Sequence, residues 1–381
     1  MDFDLTEEQG LLQDSVSKLL ADAYSFEQRK AMRTQPIGYD ASVWRQFADL
    51  GLLALPFAEA DGGLGGGAVD VMLVMEAFGR HLVLEPYLAT VVLAGGCLRH
   101  AASDAQRAEW LPALIAGETT YTIAHVERGA RYDLAHVTTQ ARRDGSHWII
   151  DGAKAHVLHG DSADRFVISA RLSGSATDRD GVELFVVDAT ADGLTRRGYP
   201  TQDGLRAADL ELRGVRVEES QRLSAADGLA TIERVVVEAI AAVCAEAVGT
   251  MEHAHELTVE YLKQRRQFGV AIGSFQALQH RAVDMLVMVE QARSMAYFAT
   301  MMVTEPDPAR RAAAMSAAKV QIGRSARFVG EQAVQLHGGI GVTEEAAVGH
   351  YYRRLTLLEL LFGDTNHHLS MLAQGGGLAG D

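Results

Sequence analysis

Three short stretches hold the residue types that can do chemistry. The first is Tyr261-Leu-Lys-Gln-Arg265-Arg-Gln267-Phe268-Gly-Val-Ala-Ile-Gly-Ser-Phe275-Gln276, the second Gln335-Leu-His-Gly338-Gly339-Ile-Gly341-Val-Thr, and the third Leu361-Phe362-Gly363-Asp364-Thr365. Arg265 ends a long helical stretch and offers a planar guanidinium fork, which grips a pyrophosphate better than a lysine does. Phe268 has a ring that can lie flat on an adenine. Gln276 and Gln335 have amides suited to ring edges or a ribose. Gly338, Gly339 and Gly341 remove side chains, which lets backbone N–H groups approach a phosphate. The competing reading is structural: the glycines make a tight interhelix turn and Arg265 points into solvent.

The remaining candidates have simpler expected roles. Asp364 is a possible proton acceptor, but an Asp beside Gly363 is also a good helix N-cap, and capping is the expected role. Glu246 lies in an Ala- and Val-rich helical stretch and needs a partner if buried, so a structural ion pair is expected. His367 and His368 are adjacent, and neighbouring helical residues point about 100° apart. They are expected as exposed helix residues, with no metal site. Cys97 and Cys244 have no disulfide or metal spacing and read as small core residues of a reducing compartment.

Positioning these residues takes three regions of different texture. From Leu5 to Ala116 apolar residues recur at helical spacing, as in Val71, Met72, Val74, Met75 and Phe78, and Thr6 with Glu8 and Gln9 suits a helix start. Asp61-Gly-Gly-Leu-Gly-Gly-Gly67 must be a loop. From Thr119 to Val217 the period becomes two: Trp148-Ile149-Ile150, Phe166-Val167-Ile168-Ser169 and Leu184-Phe185-Val186-Val187 read as antiparallel strands, separated by Asp144-Gly145, Asp151-Gly152 and Asp192-Gly193. Beyond Ala225 the helical period returns, with Pro306 and Pro308 separating two long helices. The expected fold is α+β: an N-terminal helical domain (1–118), a β-barrel-like antiparallel middle domain (119–220) and a C-terminal four-helix bundle (225–381).

Composition narrows the partners. The chain has 381 residues, 48% of them hydrophobic, more than one ordinary core needs. A net charge of −15 argues against nucleic acid or an anionic membrane as partner. The acidic start MDFDLTEEQ and the absence of any 18-residue apolar run lead to the expectation of a soluble, cytoplasmic protein without signal peptide or membrane span.

The first two stretches, with Asp49-Leu-Gly-Leu-Leu, Trp110-Leu-Pro-Ala-Leu-Ile-Ala-Gly and Gly204-Leu-Arg-Ala-Ala-Asp-Leu in the same order, resemble the acyl-CoA dehydrogenase family over nearly the whole chain. That resemblance implies an FAD-dependent oxidoreductase of acyl-CoA thioesters in fatty acid metabolism. It also implies that Arg265, Gln267, Phe268, Phe275, Gln276, Gln335, Gly338 and Gly339 reach out of one subunit to hold the adenine half of a neighbour's FAD. Electrons would leave to an electron-transfer flavoprotein.

The chain departs from the family where a subunit holds its own flavin and substrate. A Thr-Glu-Pro-Gly-Ala-Gly-Ser-Asp loop is replaced by Val126-Glu127-Arg128-Gly129-Ala130-Arg131-Tyr132-Asp133, and Trp-Ile-Thr-Asn by His156-Val157-Leu158-His159. Val126 and Leu158 have no hydroxyl for the flavin, and Tyr132 replaces a small one. The family's catalytic Glu falls at Phe362, and its alternative position, 29 residues before Phe268, at Ala239. Neither takes a proton, so no catalytic residue is assigned. Residues acting in trans are kept and those acting in cis are lost. That pattern resembles the small, base-lacking subunits of heteromeric members, such as that of pimeloyl-CoA dehydrogenase, which implies a hetero-tetramer with a catalytic homologue. A homodimeric or homotetrameric enzyme using Asp364 or Glu246 as displaced base, and a CoA-ester binding protein without redox function, remain the alternatives.

Overall fold

The computed structural model describes residues 5–376, which form two compact units. Of the described residues, one gathers 5–30, Ala68–Val83 and 240–376; the other contains Ala31–Gly67 and Leu84–Ala239. The order of elements is helical, sheet, helical, as the periodicities require.

Among the described residues six α-helices come first: α1 (Glu7–Ala23), α2 (Phe26–Met32), α3 (Ala41–Asp49), α4 (Ala68–His81), α5 (Gly95–Ala101), which continues a π-helical turn over Leu88–Ala94, and α6 (Asp104–Ile115). Thr6 caps α1 through a reciprocal box with Gln9, satisfying two amides that the first turn leaves open. Ser103 and Gln106 do the same for α6.

Eight strands follow: β1 (Tyr121–Ala124), β2 (Gln140–Asp144), β3 (His147–Leu158), β4 (Arg165–Arg171), β5 (Val182–Asp188), β6 (Leu194–Pro200), β7 (Arg206–Glu218) and β8 (Arg222–Leu223). They form one sheet in the order β6-β7-β3-β2-β4-β5-β8, with β1 beside β4. The long ladders are antiparallel. β1 runs parallel to β4, and β2 meets β4 in parallel at one pair, so the sheet is mixed. Its core is Trp148, Ile150, Phe166, Ile168, Phe185, Val187, Leu210 and Leu212. Asp144-Gly145 and Asp192-Gly193 do make turns. Asp151-Gly152, expected to separate strands, lies inside β3: the register against β7 shifts there, and a Cβ on Gly152 would strike Thr139.

The unit that takes in Ile240 and beyond is dominated by α7 (Gly228–Gln264, of which it takes the part from Ile240), α8 (Gln276–Met302), α9 (Pro308–His337), α10 (Ala347–Leu360) and α11 (Thr365–Gln374). Pro308 opens α9 behind an Asp307 cap, as the prolines led one to expect. α9 packs against α8, α10 and α11. Where α4 meets α7, both backbones touch: a Cβ on Gly79 would run into the Glu246 carbonyl, and one on Gly249 into the Glu76 carbonyl. Among the described residues no helix is long and apolar enough to cross a membrane.

Candidate functional site

The dinucleotide-type residues gather at the ends of α7 and α9. α7 stops at Gln264, one residue before Arg265, and a two-stranded hairpin follows, β9 (Arg266–Gln267) with β10 (Val270–Ala271). Its two-residue loop is Phe268-Gly269, with φ of 54° and 83°. Positive φ at both central residues suits the strand twist of a tight hairpin, but Asn, Asp or Gly normally supply it. A phenylalanine there costs roughly 1–2 kcal/mol. The residue is also 90% exposed, with its ring edge-on to that of Phe275 at 6.2 Å between centroids. Arg265, Gln267 and Gln276 are exposed beside it, Gln276 as the first residue of α8.

The second motif lies beyond α9. Gln335 is exposed near the helix end, and Gly338 has φ 65° and ψ −146°, a region that only glycine enters at low cost. A Cβ on Gly338 or Gly339 would meet no protein atom within 4 Å, whereas one on Gly341 would meet the Val334 carbonyl at 2.8 Å. Gly341 thus serves packing, while Gly338 and Gly339 leave backbone open to solvent. Tyr261 and His337 stack at 4.5 Å and 24°, which brings the two motifs together. An exposed aromatic face, a free-standing guanidinium and bare glycine backbone fit the adenine and phosphates of a dinucleotide.

In the sheet unit the loop from Val126 to Asp133 is fixed without any ligand. Glu127 accepts from the amides of Thr138 (2.7 Å) and Thr139 (3.0 Å), from the Thr138 hydroxyl and from Lys154 Nζ (2.7 Å). Burial pushes the Glu127 carboxyl up, but Lys154 and these hydrogen bonds outweigh it and hold it down at about 2. Lys154, fully buried, also reaches Ser169, which meets His125 Nδ1 at 2.9 Å. Further along, the buried Arg171 guanidinium donates to the carbonyls of Val137, Ala135, Ala176, Asp178, Asp180 and Ser173. Sequence reasoning missed this scaffold, because charges in an alternating pattern read as solvent-facing; the one signal was Lys154 between two alanines. Val126 is exposed, Tyr132 half-buried, and Leu158 only accepts, its carbonyl taking a bond from Thr122 Oγ1 at 2.6 Å. The side chains of Val126 and Leu158 carry no hydroxyl, and that of Tyr132 carries one only at the end of a bulky ring.

The expected base positions hold no proton acceptor. Ala239 is fully buried in α7. Phe362 lies half-buried between α10 and α11 at φ 59°, and Gly363 follows at 116°. Asp364 caps α11, its carboxylate accepting the His367 amide at 2.8 Å. Glu246 forms a buried two-pronged pair with Arg354 at 2.6 and 2.8 Å. Both carboxylates play the structural parts expected of them. The histidine pair needs correction: neither is exposed, His367 being half-buried and His368 buried, where the turn at Phe362 and Gly363 folds α11 back over Ser316 of α9. Among the described residues no cluster of metal-type ligands occurs.

Backbone strain marks the same segments. Among the described residues six non-glycines have positive φ: Leu82, Arg131, His156, His159, Phe268 and Phe362. All but Leu82 lie on the loop, strand, hairpin and turn singled out above, and strain of this kind gathers at functional sites.

Three family models match the chain: "Acyl-CoA dehydrogenase, N-terminal domain" over residues 6–118, "middle domain" over 122–217 and "C-terminal domain" over 226–377. The chain is 30% identical to the acyl-CoA dehydrogenase IpdE2 of Mycobacterium tuberculosis, over 91% of each. Among solved structures it resembles a chain of the ChsE4–ChsE5 complex from Mycobacterium tuberculosis, with TM-score 0.87, 25% identity and 98% of each chain covered. It also resembles the Tcur3481–Tcur3483 steroid ACAD, with TM-score 0.86, 28% identity and 97% and 99% covered.

Proposed function

The chain belongs to the acyl-CoA dehydrogenase family of FAD-dependent oxidoreductases, and from that premise we propose that it is the base-lacking subunit of a heteromeric acyl-CoA dehydrogenase. In this reading Arg265, Gln267, Phe268, Phe275, Gln276, Gln335, Gly338 and Gly339 complete the FAD site of a catalytic homologue. The partner supplies the carboxylate that takes the substrate's α-proton, and an electron-transfer flavoprotein receives the electrons. FAD held there would supply the acceptor for the β-hydride.

The observation that carries this reading is Phe268. It has an unfavourable backbone conformation and an exposed aromatic face, two costs that burial against a ligand in a neighbouring chain offsets. At the positions that the resemblance assigns to a subunit's own flavin, Val126 and Leu158 have no side-chain donor, and the position matching the family's base is Phe362. The ChsE4–ChsE5 complex shows that a related chain of this fold occurs in an assembly of two differently named chains.

The test is to purify the chain alone and together with a homologue that keeps the catalytic Glu. The expected result is colourless protein alone and stoichiometric flavin in the complex, bleached anaerobically by an acyl-CoA. Yellow protein from the lone chain, reduced by an acyl-CoA and silenced by Asp364→Asn, would overturn the proposal in favour of a self-sufficient enzyme, since Asn caps a helix about as well as Asp.

A further inference from the structure

The outer face of β3, β7 and β6 carries a second charged constellation, separate from the dinucleotide-type residues. Between Lys154 and Val157 the register of β3 slips against β7, and His156 stands in that irregularity with φ 53°. Its amide donates to Asp209 Oδ1 at 3.3 Å, and its Nδ1 lies 3.1 Å from the Tyr199 hydroxyl, itself 3.2 Å from the same Oδ1. Asp209 Oδ2 accepts from Arg128 Nη2 and Arg197 Nη2, each at 2.9 Å. Arg197 faces Asp209 across the β6–β7 ladder, while Arg128 arrives from the loop after β1.

Two guanidinium groups from different parts of the chain are therefore held side by side on one carboxylate oxygen. Their side chains are 78% and 75% exposed, and each keeps further N–H donors directed to solvent. Asp209 offsets only one of the two charges, which leaves a local positive centre on a chain whose net charge is −15.

We propose that Arg128 and Arg197, buttressed by Asp209, bind a phosphate group, with His156 and Tyr199 beside it. A phosphate has enough acceptor oxygens to take a fork from each arginine, more than the single Asp209 oxygen that the two now share. The left-handed backbone at His156 is the kind of strain kept where a side chain must be aimed. The phosphate can come from inorganic phosphate or from the nucleotide end of a CoA ester. The site does not depend on the proposed subunit role, because every residue in it belongs to this chain.

The experiment is calorimetric titration of the full chain with inorganic phosphate and, separately, with CoA. Saturable binding of roughly millimolar affinity or tighter is expected, weakened about tenfold or more by Arg128→Ala and by Arg197→Ala. Arg213→Ala is the control, since Arg213 is equally exposed at 78% and pairs with Glu211 on the same sheet. Arg128→Lys and Arg197→Lys keep the charge without the fork and guard against misfolding; a clear loss of affinity at unchanged melting temperature is expected. A markedly higher affinity for CoA assigns the nucleotide as the source, and equal affinities assign free phosphate. The proposal falls if neither ligand saturates, or if Arg213→Ala weakens binding as much as Arg128→Ala.

Discussion

His368 donates from Nε2 to the carbonyl of Phe362 at 3.1 Å, while its Nδ1 accepts from the Ser316 hydroxyl at 3.1 Å. A carbonyl can only accept, so Nε2 carries a proton; with the ring neutral near pH 7, Nδ1 is left to accept from the hydroxyl. Burial, then the charge of Lys319 and the neighbouring His367, push its pKa down to about 4. The unfolded chain takes up the proton near 6.5 and the folded chain refuses it until about 4. The stability tied to His368 is therefore complete above pH 6.5 and declines as the pH falls from 6.5 toward 4, by up to about 3 kcal/mol. Urea titrations of wild type and His368→Gln across pH 4–8 should show the two curves converging toward acid. A difference that stays constant with pH would refute the assignment.

Glu246 and Arg354 are buried together, and removing one partner strands the other. Glu246→Ala should cost on the order of 3–5 kcal/mol, and joint replacement by apolar residues of similar volume, Glu246→Leu with Arg354→Met, much less. Denaturant midpoints of the two single variants and the double variant decide it. Equal losses in all three would mean that the pair is not the coupling element.

Phe268→Asn should act oppositely on stability and on cofactor retention. Asn accepts the left-handed turn position more readily and exposes no ring, so the free chain should gain about 0.5–1 kcal/mol. In the complex with a catalytic homologue, flavin should be lost on gel filtration. A variant that neither gains stability nor sheds flavin would show that the ring has no trans role.

Gly79→Ala and Gly249→Ala should each destabilise by more than 2 kcal/mol, because a methyl at either site meets a carbonyl of the facing helix and the backbones must separate. Thermal melts measure this directly. A loss below 0.5 kcal/mol would mean that α4 and α7 can slide apart freely.

Much of this was legible from residue types whose local roles do not depend on distant packing. The Thr6 box, the Asp364 cap and the Glu246 ion pair all follow from hydrogen-bonding needs that any helix end or buried charge imposes. The hairpin after Arg265 escaped notice, since two paired residues on each side give no periodicity to read. Gly152 looked like a turn because a glycine required by the approach of Thr139 has the same letter as one required by a reversal. His368, Lys154 and Arg171 were hidden for a common reason: their burial is made possible by a hydroxyl, a carboxylate and carbonyls brought from elsewhere in the chain.

The turn at Phe362 is held through its backbone groups: the Leu361 amide donates to the Leu357 carbonyl, the Gly363 amide to the Leu360 carbonyl, and the Phe362 carbonyl accepts from the His368 side chain. No backbone bond of the turn involves the phenyl ring. The position therefore behaves as a socket whose shape is kept whatever side chain it displays. Phe362→Glu should fold with little change in stability, so the absence of a base is a property of one interchangeable side chain and not of the architecture that would present it.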